Sequence, residues 1–287
     1  MATPPPELMD GPAPRSARAE GTLFRQAERR ARGRLGVAAI DLRDGRSMEH
    51  RGEERFPMAS TFKLPLVMAV LSRVDRGTER LDRAIRFTSS DLVPYSPVVG
   101  RQPHGGRLSV AELCAAAIEL SDNGAANLLL RTVGGPAGVT AYVRGLGDRM
   151  TRIDRMEPAL NESIPGDPRD TTTPHAMATL VARLVREPVL SEASKARVFG
   201  WLRASKTGAT RIRAGAPPGW VVGDKTGTTN TSGNDVAILW PPTGAPPAGR
   251  ASAPVVLAVY FAEVQSSDAE RDAAIADVTR AVIRITR

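Results

Sequence analysis

Lysine is rare in this chain, and three of its lysines stand in short motifs that also carry a serine or threonine. Only four of the 39 lysines and arginines are lysines. Ser60-Thr-Phe-Lys63 places a hydroxyl and an amine one turn apart if Ser60 begins a helix. A neutral amine there takes the serine proton, and free N–H groups at the helix start stabilise an oxyanion. Alone the motif is weak, because S-x-x-K occurs by chance roughly once in such a chain and an ordinary helix cap with a surface lysine is the more frequent explanation.

A second polar triplet, Ser121-Asp-Asn123, interrupts two apolar helical runs at 111–119 and 125–130. Such a triplet is usually only a turn between helices. In the functional interpretation, Ser121 relays a proton to a leaving group and Asn123 donates a hydrogen bond to the substrate. The triplet by itself does not decide between these two interpretations.

The third motif, Lys225-Thr-Gly227, follows a predicted strand at 220–223. A strand edge presents Lys225 and Thr226 to an anionic ligand, and Gly227 lets the backbone approach closely. The N–H of Thr228 then serves as a second oxyanion donor. A similar triplet, Lys206-Thr-Gly208, follows a helical stretch, and we interpret Lys206 as structural.

The three motifs, in the order S-x-x-K, S-D-N and K-T-G, resemble those of the penicillin-recognising serine enzymes. These enzymes comprise class A β-lactamases and penicillin-binding proteins. The similarity extends from about Thr22 to the C-terminus, and it makes chance occurrence of each motif a poor explanation. The neighbouring segments that are similar to class A enzymes are 91–97, 112–118, 123–130 and 169–174.

The segment from Arg155-Met-Glu-Pro-Ala-Leu-Asn161 to Asp170 resembles the Ω-loop of class A enzymes. The resemblance implies that Glu157 and Asn161 hold one water against an acyl carbonyl, with Glu157 as the base. Pro158 is expected to begin the single helical turn that brings these two side chains together. Penicillin-binding proteins lack the pair, so it favours a β-lactamase. Arg155 and Asp170 match positions that form an ion pair at the neck of the loop.

The resemblance therefore implies hydrolysis of β-lactam antibiotics through an acyl-enzyme on Ser60. It leaves open whether Lys63 or Glu157, through the water, removes the serine proton. The alternative function is a slow-turnover penicillin-binding peptidase or a β-lactam sensor. The resemblance implies no cofactor other than the catalytic water. The residues expected at the substrate carboxylate are Lys225, Thr226, Thr228 and Arg211, and Tyr95 is expected at the mouth of the cleft.

These motifs need a framework, and the hydrophobic pattern predicts an α+β fold. We expect an antiparallel sheet of about five strands flanked by terminal helices, an all-helical lobe, and the site in the cleft between them. Predicted strands lie at 36–42, 220–223, 234–240 and 255–262, with a hairpin turn at Asp44-Gly45. Predicted helix starts include a capping box at Ser109 and Glu112 and the pair Thr173-Pro174. The expected units are a flexible leader at 1–20, an α/β lobe of 21–55 with 210–287, and a helical lobe at 56–209.

Composition excludes several other classes of protein. The net charge is +8, but the basic residues are scattered and aromatic residues make up only 4%, so nucleic-acid binding is not expected. No apolar run is long enough to span a bilayer. A single cysteine, Cys114, allows no intrachain disulfide, and the three histidines show no spacing typical of metal ligands. We expect a monomer. The N-terminus lacks the apolar core of a signal peptide, so a periplasmic or secreted location follows only from the resemblance.

Overall fold

The computed structural model describes residues 15–242 and 253–286. Its α-helices are α1 (Arg15–Ala31), α2 (Lys63–Asp75), α3 (Val110–Glu119), α4 (Asn123–Thr132), α5 (Gly135–Gly145), α6 (Pro174–Arg186), α7 (Glu192–Arg203), α8 (Ile212–Gly215) and α9 (Asp268–Thr286). Its strands are β1 (Arg34–Asp41), β2 (Ser47–His50), β3 (Phe56–Pro57), β4 (Ala84–Phe87), β5 (Gly106–Ser109), β6 (Thr171–Thr172), β7 (Val221–Thr228), β8 (Gly233–Trp240) and β9 (Val255–Ala262). Helix α1 begins at Arg15, within the leader expected at 1–20, and residues 1–14 lie outside the described residues.

The main sheet has five strands in the order β2-β1-β9-β8-β7, and every neighbouring pair is antiparallel. The predicted α+β fold with a five-stranded antiparallel sheet is therefore confirmed. Strand β9 lies in the middle of the sheet, where both faces are covered, and all eight of its residues are buried. This burial explains why its sequence is a continuous apolar run rather than an alternation of apolar and polar residues.

Each face of the sheet packs against a separate layer of helices. Leu257, Val259 and Phe261 of β9 pack in a core with residues of α1 and α9. Val256, Ala258 and Tyr260 point the other way, into the core formed with the helices between β3 and β7. Because side chains alternate along a strand, one strand supplies both cores and fixes the sheet between them.

Helix starts and turns follow the local signals read from the sequence. Ser109 and Glu112 form a reciprocal capping box on α3. Thr173 accepts a hydrogen bond from the N–H of Ala176, with Pro174 as the first residue of α6. Gly45 takes the left-handed conformation in the β1–β2 hairpin, at φ 81°. Within the described residues, no helix is long and apolar enough to cross a membrane.

The start of α2 differs from the expectation. We expected Ser60 to begin the α-helix, but Ala59–Phe62 forms a 3₁₀ turn and α2 begins at Lys63. Pro65 is the third residue of α2, where its missing N–H removes no bond of the helix interior. The tighter turn still brings residues three apart onto one side, since a 3₁₀ helix has three residues per turn.

Candidate active site

The 3₁₀ turn brings the hydroxyl of Ser60 onto a buried amine. Lys63 Nζ lies 2.8 Å from Ser60 Oγ, and the side chain of Lys63 is fully buried. Ala59, directly before Ser60, has a φ of 44°, a left-handed conformation that is costly for a residue with a Cβ. Such local strain persists only where the surrounding structure enforces it, and here it sets the position of Ser60.

Lys63 sits among oxygen atoms. Its Nζ donates to Ser121 O at 2.7 Å and to Asn123 Oδ1 at 2.5 Å, and it lies 3.2 Å from Glu157 Oε1. Burial lowers the pKa of Lys63, because it disfavours the charged form, while the carboxylate of Glu157 opposes that shift. The amine therefore loses its proton more readily than an ordinary lysine does.

Ser121 and Asn123 are held at the start of α4 by the residue between them. Asp122 caps α4 by accepting from the N–H of Ala125, and its other oxygen accepts from the N–H groups of Val98 and Val99. Sequence analysis assigned no role to Asp122. Ser121 has a φ of 58°, so the turn that the triplet predicted is sharp and left-handed.

Strand β7 carries the third motif past the 3₁₀ turn. Lys225 is fully buried, and its Nζ donates to Ser121 Oγ at 3.0 Å. Burial lowers its pKa well below the ordinary value, and the nearby Lys63 adds to the shift. Ser121 Oγ thus lies between two buried amines, since Lys63 Nζ is 3.4 Å away on the other side.

Gly227 is required where β7 meets the turn that carries Ser60. A Cβ on Gly227 would lie 2.6 Å from Met58 O and 3.2 Å from Ser60 N. Any side chain would push these backbones apart. The next residue, Thr228, lines the same cleft as Ser60.

Arg211 reaches the end of β7 from the loop before α8. Its Nη2 donates to Thr228 Oγ1 at 2.8 Å, and its Nη1 donates to Gly227 O and Asn234 O. Its Nε forms an ion pair with Asp272 of α9 at 2.9 Å. Asp272, which sequence analysis did not single out, fixes the direction of this buried guanidinium.

The 155–170 segment places Glu157 beside Lys63. The amide side chain of Asn127 holds the backbone of Glu157 from both sides, with Asn127 Oδ1 accepting from Glu157 N and Nδ2 donating to Glu157 O. Asn161 Nδ2 donates to Glu157 Oε2. Asn161 Oδ1 is buried without a hydrogen-bond partner, and Glu157 Oε1 has only its ion pair with Lys63 Nζ at 3.2 Å. The helical turn is Ala159–Asn161, so Pro158 precedes it instead of beginning it as expected.

The neck of this segment is held by a buried carboxylate. Asp170 is 1% exposed and accepts from Arg155 Nε at 2.6 Å. Its other oxygen accepts from the backbone N–H groups of Asp154 and Arg155. Arg155 also pairs with Glu162. The two ends of the loop are therefore joined by side-chain and backbone bonds to one residue.

These side chains surround a cleft of about 460 Å³. Its lining residues are Ser60, Tyr95, Ser121, Asn123, Asn161, Lys206, Thr207, Thr226 and Thr228. Tyr95 is 61% exposed at the edge of the cleft. Lys206, which we interpreted as structural, lies on a loop that also lines the cleft, and Thr207 Oγ1 of this loop lies 2.6 Å from Thr226 Oγ1. Repetition of the K-T-G triplet was the signal that could have found this loop.

Two further buried acids lie behind β7. Burial raises the pKa of Asp224 and raises that of Asp235 well above its ordinary value. Asp224 pairs with Arg213, and Asp235 accepts from the N–H of Ile212. Among the described residues, the one group of side chains with metal-ligand spacing is Glu49, Glu53 and His175, none of which lines the cleft.

A serine in contact with a buried lysine, a second lysine on the adjacent strand and a loop carboxylate define a serine hydrolase that works through an acyl-enzyme. Comparison with known proteins agrees with this class. The family model described as "Beta-lactamase enzyme family" matches residues 22–286. The chain therefore belongs to the β-lactamase family, and its structural relatives are class A enzymes.

Three solved structures illustrate this similarity. An ancestral class A β-lactamase (GNCA) is 52% identical, with a TM-score of 0.86, and the match covers 92% of this chain and 99% of that one. The class A β-lactamase of the last common ancestor of Gram-negative bacteria is 51% identical, with a TM-score of 0.87 and coverage of 93% and 98%. The putative class A β-lactamase PenP from Rhodopseudomonas palustris is 48% identical, with a TM-score of 0.88 and coverage of 93% and 99%. The chain is a hydrolase of β-lactams.

Proposed function

We propose that Ser60 is the nucleophile that opens the β-lactam ring and that Lys63 removes its proton. A neutral amine has two hydrogens and one lone pair. Ser121 O and Asn123 Oδ1 accept the two hydrogens, which leaves the lone pair for the hydroxyl of Ser60 at 2.8 Å. The lowered pKa of Lys63 supports this protonation state.

We assign deacylation, the second half of the reaction, to the 155–170 loop. Glu157 Oε1 and Asn161 Oδ1 are two neighbouring buried acceptors that make no hydrogen bond, apart from the 3.2 Å ion pair of Glu157 Oε1 with Lys63 Nζ. A water molecule donates two hydrogen bonds, and each of these oxygens accepts one. Glu157 then takes a proton from that water as it attacks the acyl carbonyl on Ser60. This pair of acceptors is the observation that carries the proposal of rapid turnover.

Binding and proton transfer to the leaving group are assigned to the other wall of the cleft. Lys225, Thr226 and Thr228 receive the carboxylate of the substrate, with Arg211 acting through its bond to Thr228 Oγ1. The backbone N–H groups of Ser60 and Thr228 hold the oxyanion. Ser121, between the two buried amines, passes a proton to the departing ring nitrogen. Asn123 and Tyr95 contact the rest of the substrate.

The test uses a chromogenic cephalosporin, stopped-flow kinetics and intact mass. Glu157→Ala should acylate at close to the parental rate and then keep the adduct, since Lys63 still removes the serine proton. Glu53→Ala, a change of an exposed glutamate outside the cleft and the loop, is the control and should turn over normally. If Glu157→Ala slowed acylation as much as it slowed deacylation, relative to the parental enzyme, Lys63 would be refuted as the acylation base. A parental enzyme that stops after one equivalent would establish the slow peptidase or sensor instead.

We also propose the setting in which this enzyme works. It is an exported monomer of the periplasm or the medium, it uses water and no cofactor, and its partners are β-lactam substrates and inhibitors. Membership of the β-lactamase family supports export. Cell fractionation tests the location, and light scattering coupled to size-exclusion chromatography tests the monomer. Because we propose that no cofactor is used, we expect activity to survive treatment with a metal chelator.

A further inference from the structure

The other K-T-G triplet, Lys206-Thr-Gly208, lies on a loop that reaches the catalytic cleft and that the mechanism proposed above does not use. The loop is held on two sides. On one side, the backbone N–H of Lys206 donates to the backbone oxygen of Glu119, the last residue of α3, at 2.9 Å. On the other side, the loop packs against β7, the strand that carries the catalytic K-T-G triplet.

Three features join this loop to β7. Ser205 Oγ donates to Asp224 Oδ2 at 3.2 Å. A Cβ on Gly208 would collide with that same oxygen, so glycine allows the loop to approach the strand closely. Thr207 Oγ1 lies 2.6 Å from Thr226 Oγ1. The two K-T-G triplets therefore lie side by side in the folded protein.

The contact between Thr207 and Thr226 indicates which part of a substrate this loop meets. In the function proposed above, Thr226 binds the ring carboxylate of the substrate. A hydroxyl has a single hydrogen, and Thr226 donates its hydrogen to that carboxylate. Thr207 therefore donates the hydrogen bond between the two threonines, and its loop lies at the carboxylate end of the cleft.

Lys206 brings a positive charge to this end of the cleft. It is exposed, and it is the one charged residue among those that line the cleft in the described part of the chain. Its amine makes no hydrogen bond to the described residues and has none of their carboxylate oxygens within 4.0 Å. Glu119 is the acid that feels this charge, since burial raises the pKa of Glu119 and Lys206 opposes that rise. The amine is therefore open to an anion in the cleft.

We propose that Lys206 makes the enzyme favour β-lactams that carry a second anionic group next to the ring carboxylate. Lys225, Thr226 and Thr228 bind the ring carboxylate, and Lys206 attracts the second anion at the same end of the cleft. The inference rests on the proposed function, which places the ring carboxylate there.

Cephalosporins offer the geometry that this proposal requires. Their carboxylate is on C4, and a substituent extends from the neighbouring C3, so an anion on that substituent lies beside the carboxylate. A lysine suits such an exposed anion, because its ammonium is a compact point charge on a flexible stem and needs no fixed geometry. Lys206 is thus a specificity-determining residue, and it takes no part in the chemical steps.

Two cephalosporins that share one C7 side chain and differ only at C3 test the proposal. One carries a methyltetrazolylthiomethyl group, and the other carries a sulfomethyltetrazolylthiomethyl group, which adds a sulfonate. The measured quantity is the selectivity ratio, which is kcat/KM for the sulfonate divided by kcat/KM for its analogue without the sulfonate, at low salt.

Removing the charge of Lys206 should lower this ratio. Lys206→Met should lower it about three- to fivefold, as expected for the loss of one exposed ion pair. Lys206→Arg keeps the charge and should keep most of the ratio. Arg80→Gln removes one positive charge at an exposed arginine outside the cleft, so it is the control and should give the parental ratio.

Salt gives a second measurement, which needs no variant. Raising the salt concentration should lower the ratio in the parental enzyme, since exposed charges are screened, and should change it less in Lys206→Met. A ratio in the parent that does not depend on salt would overturn the proposal even if Lys206→Met failed to fold.

An equal ratio in the parent and in Lys206→Met would also overturn the proposal. If both substrates slowed together in Lys206→Met, Lys206 would serve the ring carboxylate that they share, and no second anion would be recognised. Errors in the proposed catalytic roles would alter the rates of both substrates alike and leave the ratio unchanged. Failure of this inference and failure of the proposed function are therefore distinguishable.

Discussion

Replacing Asp170 with asparagine separates the charge of the loop neck from its shape. One oxygen of Asp170 accepts from two backbone N–H groups, and the other accepts from Arg155 Nε. Asparagine keeps the backbone bonds if its oxygen faces them, but its NH₂ then meets the N–H of Arg155. One charged hydrogen bond is lost, and Arg155 keeps only its contact with Glu162. The expected loss of unfolding free energy is about 2–3 kcal/mol.

The catalytic effect should exceed the effect on the fold, because the neck orients Glu157. We expect Asp170→Asn to slow deacylation about tenfold or more, since small misplacements of a base are costly. Acylation should change little. Urea unfolding gives the stability, and stopped-flow acylation with quenched-flow mass analysis gives the two rates. Asp82→Asn, at an exposed carboxylate, is the control. Unchanged stability and an unchanged deacylation rate would refute the role given to this ion pair.

Three further predictions follow from single contacts. Arg211→Lys should raise KM about tenfold with little change in kcat, because lysine lacks the fork that binds several oxygens; steady-state kinetics with a penicillin measures it. Gly227→Ala should slow acylation about a hundredfold, since its Cβ would lie 2.6 Å from Met58 O; normal circular dichroism must accompany the loss. Glu49 raises the pKa of His175 through a hydrogen bond. The His175–Glu49 pair therefore stabilises the fold fully at low pH, and this contribution is lost as the pH rises above about 6.5. His175→Gln should remove this pH dependence in urea unfolding measured from pH 5 to pH 9.

Signals local to the chain predicted the helix starts well, and the exception at Ser60 depends on packing with a distant strand. The cap at Ser109 and the pair Thr173-Pro174 depend on a few neighbouring residues, and both helices begin as expected. The turn at Ser60 was predicted as α-helix, because a 3₁₀ turn and an α-helix put residues three apart on similar faces. Packing against β7 selects between them, and packing is not visible in a local pattern.

The motifs named the groups at the cleft but not the residues that hold them. Asp122 and Asn127 stood inside recognised segments, yet their bonds reach residues 24 and 30 positions away. Asp272 meets Arg211 across 61 residues. Partners so far apart are joined by tertiary structure alone, and one sequence carries no sign of the pairing.

The order of the strands also determines the stage of synthesis and folding at which the active site is assembled. β7 is tied to the rest of the sheet through β8 and β9, and β9 in turn pairs with β1 from the beginning of the chain. Ser60 and Lys63 therefore leave the ribosome about ten to thirty seconds before Lys225 does. The sheet is completed only when residues near the C-terminus pair with β1, and the formation of such long-range contacts is slow. A chain cut before β9 carries Ser60 and β7 but lacks the strand that joins β8 to β1, so the reactive serine is assembled only with the finished fold.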